Sequence, residues 1–247
     1  MAEARRHHLV TKRGWVLAYE FKPVIYNPSA PAMLIVHGWR SRTEHMTSLI
    51  RMSRDLGFRV ISLDLPGHGK SSGRQINMAN AVEAVKQAET WFGPFQAMIG
   101  HSFGGVVVLN AAYGSVRQFE PVETSRMVLI SSPNRMKRVF RWFGSVVGLG
   151  PKSQRAMEKE VERLTGNPVE VFCGDEQLKS LKVPTLIAHA PDDRQVEFAG
   201  AEAMAVAGGH VRLLRADGLG HSRIISDARV LAEIAGFVNL EWQKLAA

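Results

Sequence analysis

Short, wholly apolar runs alternate with helical patterns along most of this chain, and this alternation limits the folds open to it. Residues 33–36 and 127–130 are apolar runs of strand length, whereas residues 43–56 and 75–91 have helical patterning. Such runs are typical of parallel strands buried on both faces. Parallel neighbours need crossover connections, which place helices against the sheet. The sequence therefore predicts an α/β protein with a mostly parallel twisted sheet and helices on both faces.

The alternation is interrupted once. Residues 134–181 have mainly helical patterning, with turn residues at 148–151 and 166–168, and a strand pattern resumes at 184–188. A chain of 247 residues is long enough for one large α/β domain. We expect residues 1–133 and 182–247 to form this core domain, with residues 134–181 inserted as a helical cap.

The stretch from Gly100 to Gly104 reads Gly-His-Ser-Phe-Gly and separates an apolar run from a helical pattern. A serine on such a turn has a strained backbone, and the flanking glycines remove side chains that would collide with neighbouring elements. The hydroxyl is then presented at the end of the sheet, beside the amide of Phe103 and a helix N-terminus. The motif predicts that Ser102 is a nucleophile.

A nucleophilic serine needs a base and a group that orients the base. Asp192 and Asp193 follow the strand pattern at 184–188, and His221 follows the one at 211–214. Loops after parallel strands meet at one edge of a sheet. The order Ser, Asp, His along the chain is the order found in hydrolases with this serine turn.

With these motifs the chain resembles the α/β-hydrolase superfamily over essentially its whole length, which implies the α/β-hydrolase fold. The matching segments are His37-Gly38-Trp39, residues 64–72, residues 100–105, Asp193-Arg194-Gln195-Val196 and Gly220-His221-Ser222.

The resemblance implies a role for each matching residue. Ser102 corresponds to the nucleophile, His221 to the general base, and Asp193 to the acid that orients His221. Asp193 is favoured over Asp192 because the family's acid directly precedes Arg-x-Val. The backbone N–H groups of Trp39 and Phe103 correspond to the oxyanion hole. Four side chains are expected around the substrate pocket: His37, His101, Phe140 and Phe143.

The composition limits the partners and cofactors. The formal net charge is +8, but the basic residues are widely spread without a nucleic-acid motif, so nucleic acid is not an expected partner. The single cysteine, Cys173, excludes an internal disulfide, and the histidines lack metal-ligand spacing, so no metal and no cofactor are expected. The polar N-terminus and the absence of a long apolar run favour a cytoplasmic protein without an integral membrane segment.

The first cap helix leaves three interpretations open. Met136, Val139, Phe140 and Phe143 share one face, and basic residues occupy the remainder. The helix could pack on the core with a solvated basic rim. Its apolar face could instead form an acyl pocket over Ser102, or it could adsorb transiently to an anionic lipid surface.

The expected activity is cleavage of carboxylic esters of small to medium acyl chain through an acyl-enzyme, with a small-molecule ester as partner. The short cap favours such esters over long triglycerides. The alternatives are a thioesterase or acyltransferase acting on acyl-carrier substrates, and a non-catalytic ligand-binding protein on the same fold.

Overall fold

The apolar runs of the sequence form one eight-stranded sheet in the computed structural model, which describes residues 3–239. The strands are β1 (Arg5–Thr11), β2 (Gly14–Phe21), β3 (Ala32–Val36), β4 (Arg59–Leu63), β5 (Phe95–His101), β6 (Thr124–Ile130), β7 (Thr185–His189) and β8 (Val211–Arg215). Their order is β1-β2-β4-β3-β5-β6-β7-β8. The pairs β1–β2 and β2–β4 are antiparallel, and the other five are parallel. The predicted mostly parallel sheet is confirmed.

Helices connect the strands and cover both faces. They are α1 (Thr47–Asp55), α2 (Met78–Phe92), α3 (Phe103–Tyr113), α4 (Met136–Val146), α5 (Pro151–Thr165), α6 (Gly174–Ser180), α7 (Phe198–Ala205), α8 (Gly220–Arg223) and α9 (Ala228–Asn239), with 3₁₀ turns at Thr43–Met46 and Val169–Val171. Helices α2 and α3 contribute to the apolar cluster on one face of the sheet, and α1 and α9 to the cluster on the other. In the described residues 3–239, no helix is both long and apolar enough to cross a membrane.

Strand β3 shows how the sequence fills both clusters. Leu34 and Val36 belong to the cluster under α2 and α3, whereas Met33 and Ile35 belong to the cluster under α1 and α9. All four side chains are fully buried. Alternate residues of a strand point to opposite faces, so a run without polar residues requires cover on both sides.

The helix boundaries differ slightly from those predicted. Helix α2 begins at Met78 rather than near Gln75, because the side chains of Asn77 and Asn80 each accept a hydrogen bond from the other's backbone N–H. This reciprocal cap satisfies N–H groups that the first turn leaves unpaired. The sequence pattern predicts a last helix from about Asp227 to Leu240; it is described from Ala228 to Asn239, and residues 240–247 lie outside the described part.

Helices α4 to α6 connect β6 to β7, in the region where the sequence predicts a cap. Helix α4 buries Met136 and Gly144 among its eleven residues, and α5 buries Thr165 among its fifteen. The side chains of Phe140 and Val139 pack against the core cluster. Further along the segment, Phe172 and Leu178 are buried in the same cluster, and α6 buries four of its seven residues. The contact of this segment with the core is therefore slight along α4 and α5 and close around α6.

Candidate active site

Ser102 lies on the sharp turn between β5 and α3. Its φ of 53° and ψ of −123° are strained for a residue with a side chain, and its N–H donates to the carbonyl of Ile130 over 2.8 Å. A Cβ added at Gly104 would overlap the carbonyl oxygens of Val36 and His37. The turn therefore packs so closely against the end of β3 that position 104 requires glycine.

The loop after β3 packs directly against this turn. A Cβ added at Gly38 would lie 3.0 Å from the Cβ of Ser102, which brings the backbone of Gly38 and Trp39 beside the serine. His37 holds the loop: its Nε2 accepts from the N–H of Leu65 over 3.0 Å, so its Nδ1 carries the proton and donates to the carbonyl of Gly38 over 2.7 Å. Burial lowers the pKa of His37 to about 4, so the ring stays neutral at physiological pH.

Asp193 and His221 form the central polar pair of the site. The Nδ1 of His221 donates to Oδ2 of Asp193 over 2.7 Å, and the other oxygen of Asp193 accepts from the N–H groups of Gln195 and Val196 over 2.8 and 3.0 Å. The Asp193 side chain is fully buried. With Nδ1 protonated, the Nε2 of neutral His221 has a lone pair that can accept a proton.

A third group, His189 at the end of β7, stabilises the Asp193 carboxylate. Its fully buried ring places Nε2 3.4 Å from Oδ2 of Asp193 and 3.1 Å from the carbonyl of Val196. Burial acts to raise the pKa of Asp193, but the hydrogen bonds from His189, His221 and the two N–H groups outweigh it and hold that pKa well below its usual range. Asp193 is therefore ionised at neutral pH and can stabilise an imidazolium. Sequence reasoning gave His189 no role, although its position four residues before Asp193 was a usable signal.

His101, directly before Ser102, fixes the position of His221. Its Nε2 donates to the backbone carbonyl of His221 over 2.9 Å, and the two rings lie 4.9 Å apart between centroids. Burial lowers the pKa of His101 to about 4. His101, the residue before the serine, is thus hydrogen-bonded to His221, which lies 120 positions later in the sequence.

Asp192, the alternative acid, points elsewhere. Its Oδ1 accepts from the N–H of Gly218 over 2.8 Å, which ties the loop of Asp193 to the loop that precedes His221. The structure brings Asp193, and not Asp192, to the imidazole.

The glycine-rich loop after β4 is fixed by Asp64 and His68. The carboxylate of Asp64 accepts from the N–H groups of Thr43 and Lys70, each over 2.9 Å. Nε2 of His68 accepts from the N–H of Arg40 over 2.9 Å. This loop therefore holds the backbone just beyond Trp39.

A cavity of about 550 Å³ opens beside Trp39. It is lined by Arg13, Trp39, Arg40, Gly67, His68, Arg74, Gln75, Ile76, Asn77, Glu160 and Leu164. Ser102 and His221 are outside this lining, whereas Trp39, whose N–H the resemblance assigns to the oxyanion hole, belongs to it. The four predicted pocket residues are not part of this cavity lining. His37 and His101 are buried, and each donates a hydrogen bond to a backbone carbonyl. Phe140 packs against the core cluster, and Phe143 is exposed.

No group of three or more His, Cys, Asp or Glu side chains within residues 3–239 is arranged to hold a metal ion. The chemistry that the described site offers is that of a strained serine, an oriented neutral imidazole and a buried carboxylate. These are the components of nucleophilic acyl transfer.

Known proteins resemble this chain in sequence and in fold. The human protein ABHD12B is 24% identical over 234 residues, which cover 86% of this chain and 61% of that protein. A pimeloyl-(acyl-carrier protein) methyl ester esterase of Xanthomonas campestris pv. campestris (strain B100) is 28% identical over 239 residues, covering 82% of this chain and 92% of the relative. This chain thus corresponds to less than two thirds of the human relative and to nearly the whole bacterial one.

A solved structure, Est1E from Butyrivibrio proteoclasticus with ferulic acid bound, superposes with a TM-score of 0.76 at 18% identity and covers 98% of this chain and 100% of its own. Likeness at that identity shows a shared fold. The model of the alpha/beta hydrolase family matches residues 33–234, which include the serine turn, the Asp193 loop and His221. The chain belongs to the α/β-hydrolase family.

Proposed function

We propose that this protein is a serine hydrolase that cleaves carboxylic esters of small to medium acyl chain through an acyl-enzyme intermediate. The observation that carries the proposal is the 2.7 Å hydrogen bond between His221 and Asp193, found at the same sheet edge as the strained Ser102. A protein that only bound ligands would have no need for a buried carboxylate that orients an imidazole at the end of the sheet that carries a strained serine.

In the proposed reaction, Oγ of Ser102 attacks the ester carbonyl while Nε2 of His221 takes the hydroxyl proton. Asp193 keeps the Nδ1–H tautomer and stabilises the imidazolium. The alcohol leaves with the proton from His221, and the acyl group remains on Ser102. Water then attacks the acyl-enzyme by the same route, which releases the acid and restores the serine.

The oxyanion of each tetrahedral intermediate would be bound by the N–H groups of Trp39 and Phe103. Phe103 is the first residue of α3, so its N–H lies among the unpaired donors of a helix N-terminus. The close approach of Gly38 to Ser102 and the His37 hydrogen bonds give the Trp39 amide a fixed position. Rigid donors are effective because they need no rearrangement as the charge develops.

The same proposal includes residues 134–181 as a cap that covers the active site and limits the size of the acyl chain. Helices α4 to α6 follow β6 at the sheet edge that carries Ser102, and the segment is short, which favours small and medium acyl chains. The Xanthomonas relative is named as a methyl ester esterase, which supports an ester over a thioester.

In the thioesterase alternative, the basic residues of α4 would bind an acidic acyl carrier. In the structure these residues are already paired: Lys137 with Glu170, Arg138 with Glu197 and Arg141 with Glu158. The pairing reduces the positive charge offered to an acidic partner, so ester hydrolysis is the function we favour.

Hydrolysis rates on a series of p-nitrophenyl esters of increasing acyl length, with matching thioesters, test the proposal. Ser102→Ala should remove turnover on every substrate, whereas Ser145→Ala, at an exposed serine of α4, should retain it. We expect the highest kcat/KM on short and medium esters. Turnover that survives Ser102→Ala, or a preference for thioesters, would contradict the proposal.

A further inference from the structure

Three arginines from separate segments meet at the cavity beside Trp39. Arg13 lies in the turn between β1 and β2, Arg40 in the loop after β3, and Arg74 in the loop before α2. Among residues 3–239, no carboxylate lies within 4.0 Å of any of their guanidinium groups. By contrast, Arg42 and Arg163 nearby are each paired with a glutamate.

The acid in the cavity lining, Glu160, does not balance this charge. Its carboxylate accepts two hydrogen bonds from Arg163, over 2.7 and 2.6 Å. That hydrogen bonding lowers the pKa of Glu160, and the charges of Arg163 and Arg13 lower it further. One carboxylate shared in this way leaves the cavity with a net positive lining.

The backbone of Arg40 is held in place, although the residue is exposed. Its φ of 57° is in the left-handed region, and its N–H donates to Nε2 of His68 over 2.9 Å. Nδ1 of His68 in turn donates to the carbonyl of Pro66 over 3.0 Å. The guanidinium lies over the ring of Trp39, 5.9 Å from its centroid. A strained residue that its surroundings hold in this way is typical of ligand-binding loops.

We propose that this cavity binds an anionic group of the substrate, a carboxylate or a phosphate located away from the ester that Ser102 attacks. The inference rests on the proposed function and narrows it to esters that carry a second, negatively charged group. Guanidinium groups match the oxygens of both anions in paired hydrogen bonds. The cavity volume of about 550 Å³ is sufficient for such a group and part of the chain that joins it to the ester.

The position of Trp39 supports this connection. Its backbone N–H is the proposed oxyanion donor, and the same residue belongs to the cavity lining. Trp39 is thus shared by the proposed oxyanion hole and the proposed anion site.

The test compares esters of equal chain length with and without the charge. One pair is the p-nitrophenyl half-ester of a dicarboxylic acid and the p-nitrophenyl ester of the corresponding monocarboxylic acid. A second pair is a carboxylic ester of glycerol phosphate and the same ester of glycerol. We expect kcat/KM about tenfold higher for the charged member of at least one pair, mainly through KM. The pair that shows the difference tells whether the anion is a carboxylate on the acyl side of the ester or a phosphate on its alcohol side.

Arg74→Gln and Arg13→Gln should each lower the ratio of kcat/KM for charged over neutral ester from about tenfold to about threefold or less. Both side chains are exposed, and the two variants check each other for a folding defect. Arg51→Gln removes the same charge from an exposed position on α1 and should leave the ratio unchanged. Equal kcat/KM for both members of both pairs, or an unchanged ratio in both variants, would overturn the inference.

Binding to the Ser102→Ala protein separates this inference from the proposed function. Calorimetric titration with a monomethyl dicarboxylate and with inorganic phosphate should show binding that Arg74→Gln weakens about tenfold. Anion binding without any ester hydrolysis by the wild type would contradict the proposed function and support the anion site. Hydrolysis of neutral esters without anion binding would support the function and contradict the site.

Discussion

The serine turn and the helices α4 and α5 differ in how closely they pack against the core. Nine of the eleven residues of α3, which follows Ser102, are buried, whereas α4 and α5 together bury three of their twenty-six residues. The turn also depends on backbone contacts that leave no room for a Cβ at Gly104. The position of the nucleophile is therefore set by close packing in the core.

Helices α4 and α5 pack on the core through a few apolar side chains, among them Val139, Phe140 and Val161, and carry exposed ion pairs as well. Arg138–Glu197 and Arg141–Glu158 involve mostly exposed groups, and such pairs contribute about 0–1 kcal/mol each. Large apolar side chains, Trp142 and Val146 among them, are exposed on α4. The comparison teaches that core packing fixes the serine turn while α4 and α5 are mostly surface, so substitutions on these two helices can be made without disturbing the turn.

The largest expected effect is at the acid of the core site. Asp193→Asn should lower kcat by about 10³–10⁴, because an amide that donates to Nδ1 would favour the wrong tautomer of His221. Asp192→Asn keeps an acceptor for the N–H of Gly218 and should stay within about fivefold of the wild type. Steady-state kinetics on one ester measure both. Similar losses in the two variants would contradict the assignment of Asp193.

Glycine substitutions compare packing in the two regions. Gly104→Ala should lower the free energy of unfolding by about 3 kcal/mol or more, because the added methyl meets the carbonyls of Val36 and His37. Gly150→Ala, just before α5, has open space and a φ of −70°, so it should change stability by less than about 1 kcal/mol. Urea unfolding followed by circular dichroism measures the difference. A tolerated Gly104→Ala would show that the turn is less tightly seated.

Acid stability reports on the buried histidines of the core. The folded pKa of His101 is about 4 against an ordinary value of 6.5, so the unfolded chain binds a proton first as the pH falls. The contribution is fully present above pH 6.5 and is lost progressively towards pH 4. Between pH 7 and 4.5 this corresponds to a loss on the order of 2 kcal/mol from His101.

His101→Gln keeps an N–H donor for the carbonyl of His221 but cannot titrate in this range. Its free energy of unfolding should therefore fall less steeply from pH 7 to 4.5 than that of the wild type, while His37 continues to contribute in the same direction. His45→Gln, at an exposed histidine, should follow the wild-type curve. Identical slopes for His101→Gln and the wild type would contradict the lowered pKa.

The smallest effect is expected on the exposed face of the cap. Trp142 is 66% exposed, so Trp142→Ser should change the free energy of unfolding by less than about 0.5 kcal/mol. Truncating a buried aromatic residue costs about 3–5 kcal/mol. A loss of that size in a thermal or urea unfolding experiment would show that the cap is packed like the core.

The order of strands and helices was predictable because each buried strand has its own apolar run, as in β3 and β6. The serine turn was predictable because glycines on both sides of a serine, at a strand–helix junction, are typical of the turn that presents a nucleophile. The contact of His189 with Asp193 was not predicted, although only four positions separate the two residues. The contact of His101 with the His221 carbonyl was not predicted because the fold brings together groups that are 120 positions apart, and no local pattern encodes it. The convergence of Arg13, Arg40 and Arg74 belongs to the same class.

The roles predicted for Phe140 and Phe143 depended on how the cap lies over the core. Helical periodicity gives the apolar face of α4 but not the direction in which that face points. Phe140 packs against the core while Phe143, three residues later, is exposed. A pocket role for either residue stays a prediction.

The most direct test of the central claim is to label the folded protein with a fluorophosphonate, which reacts with activated serines. Intact mass followed by peptide mapping should find one adduct per chain, on Ser102, and none in Ser102→Ala. Asp193→Asn should slow the labelling strongly, and Asp192→Asn should not. Absence of an adduct on Ser102 in the folded wild type, or equal labelling of Ser102→Ala, would contradict the account.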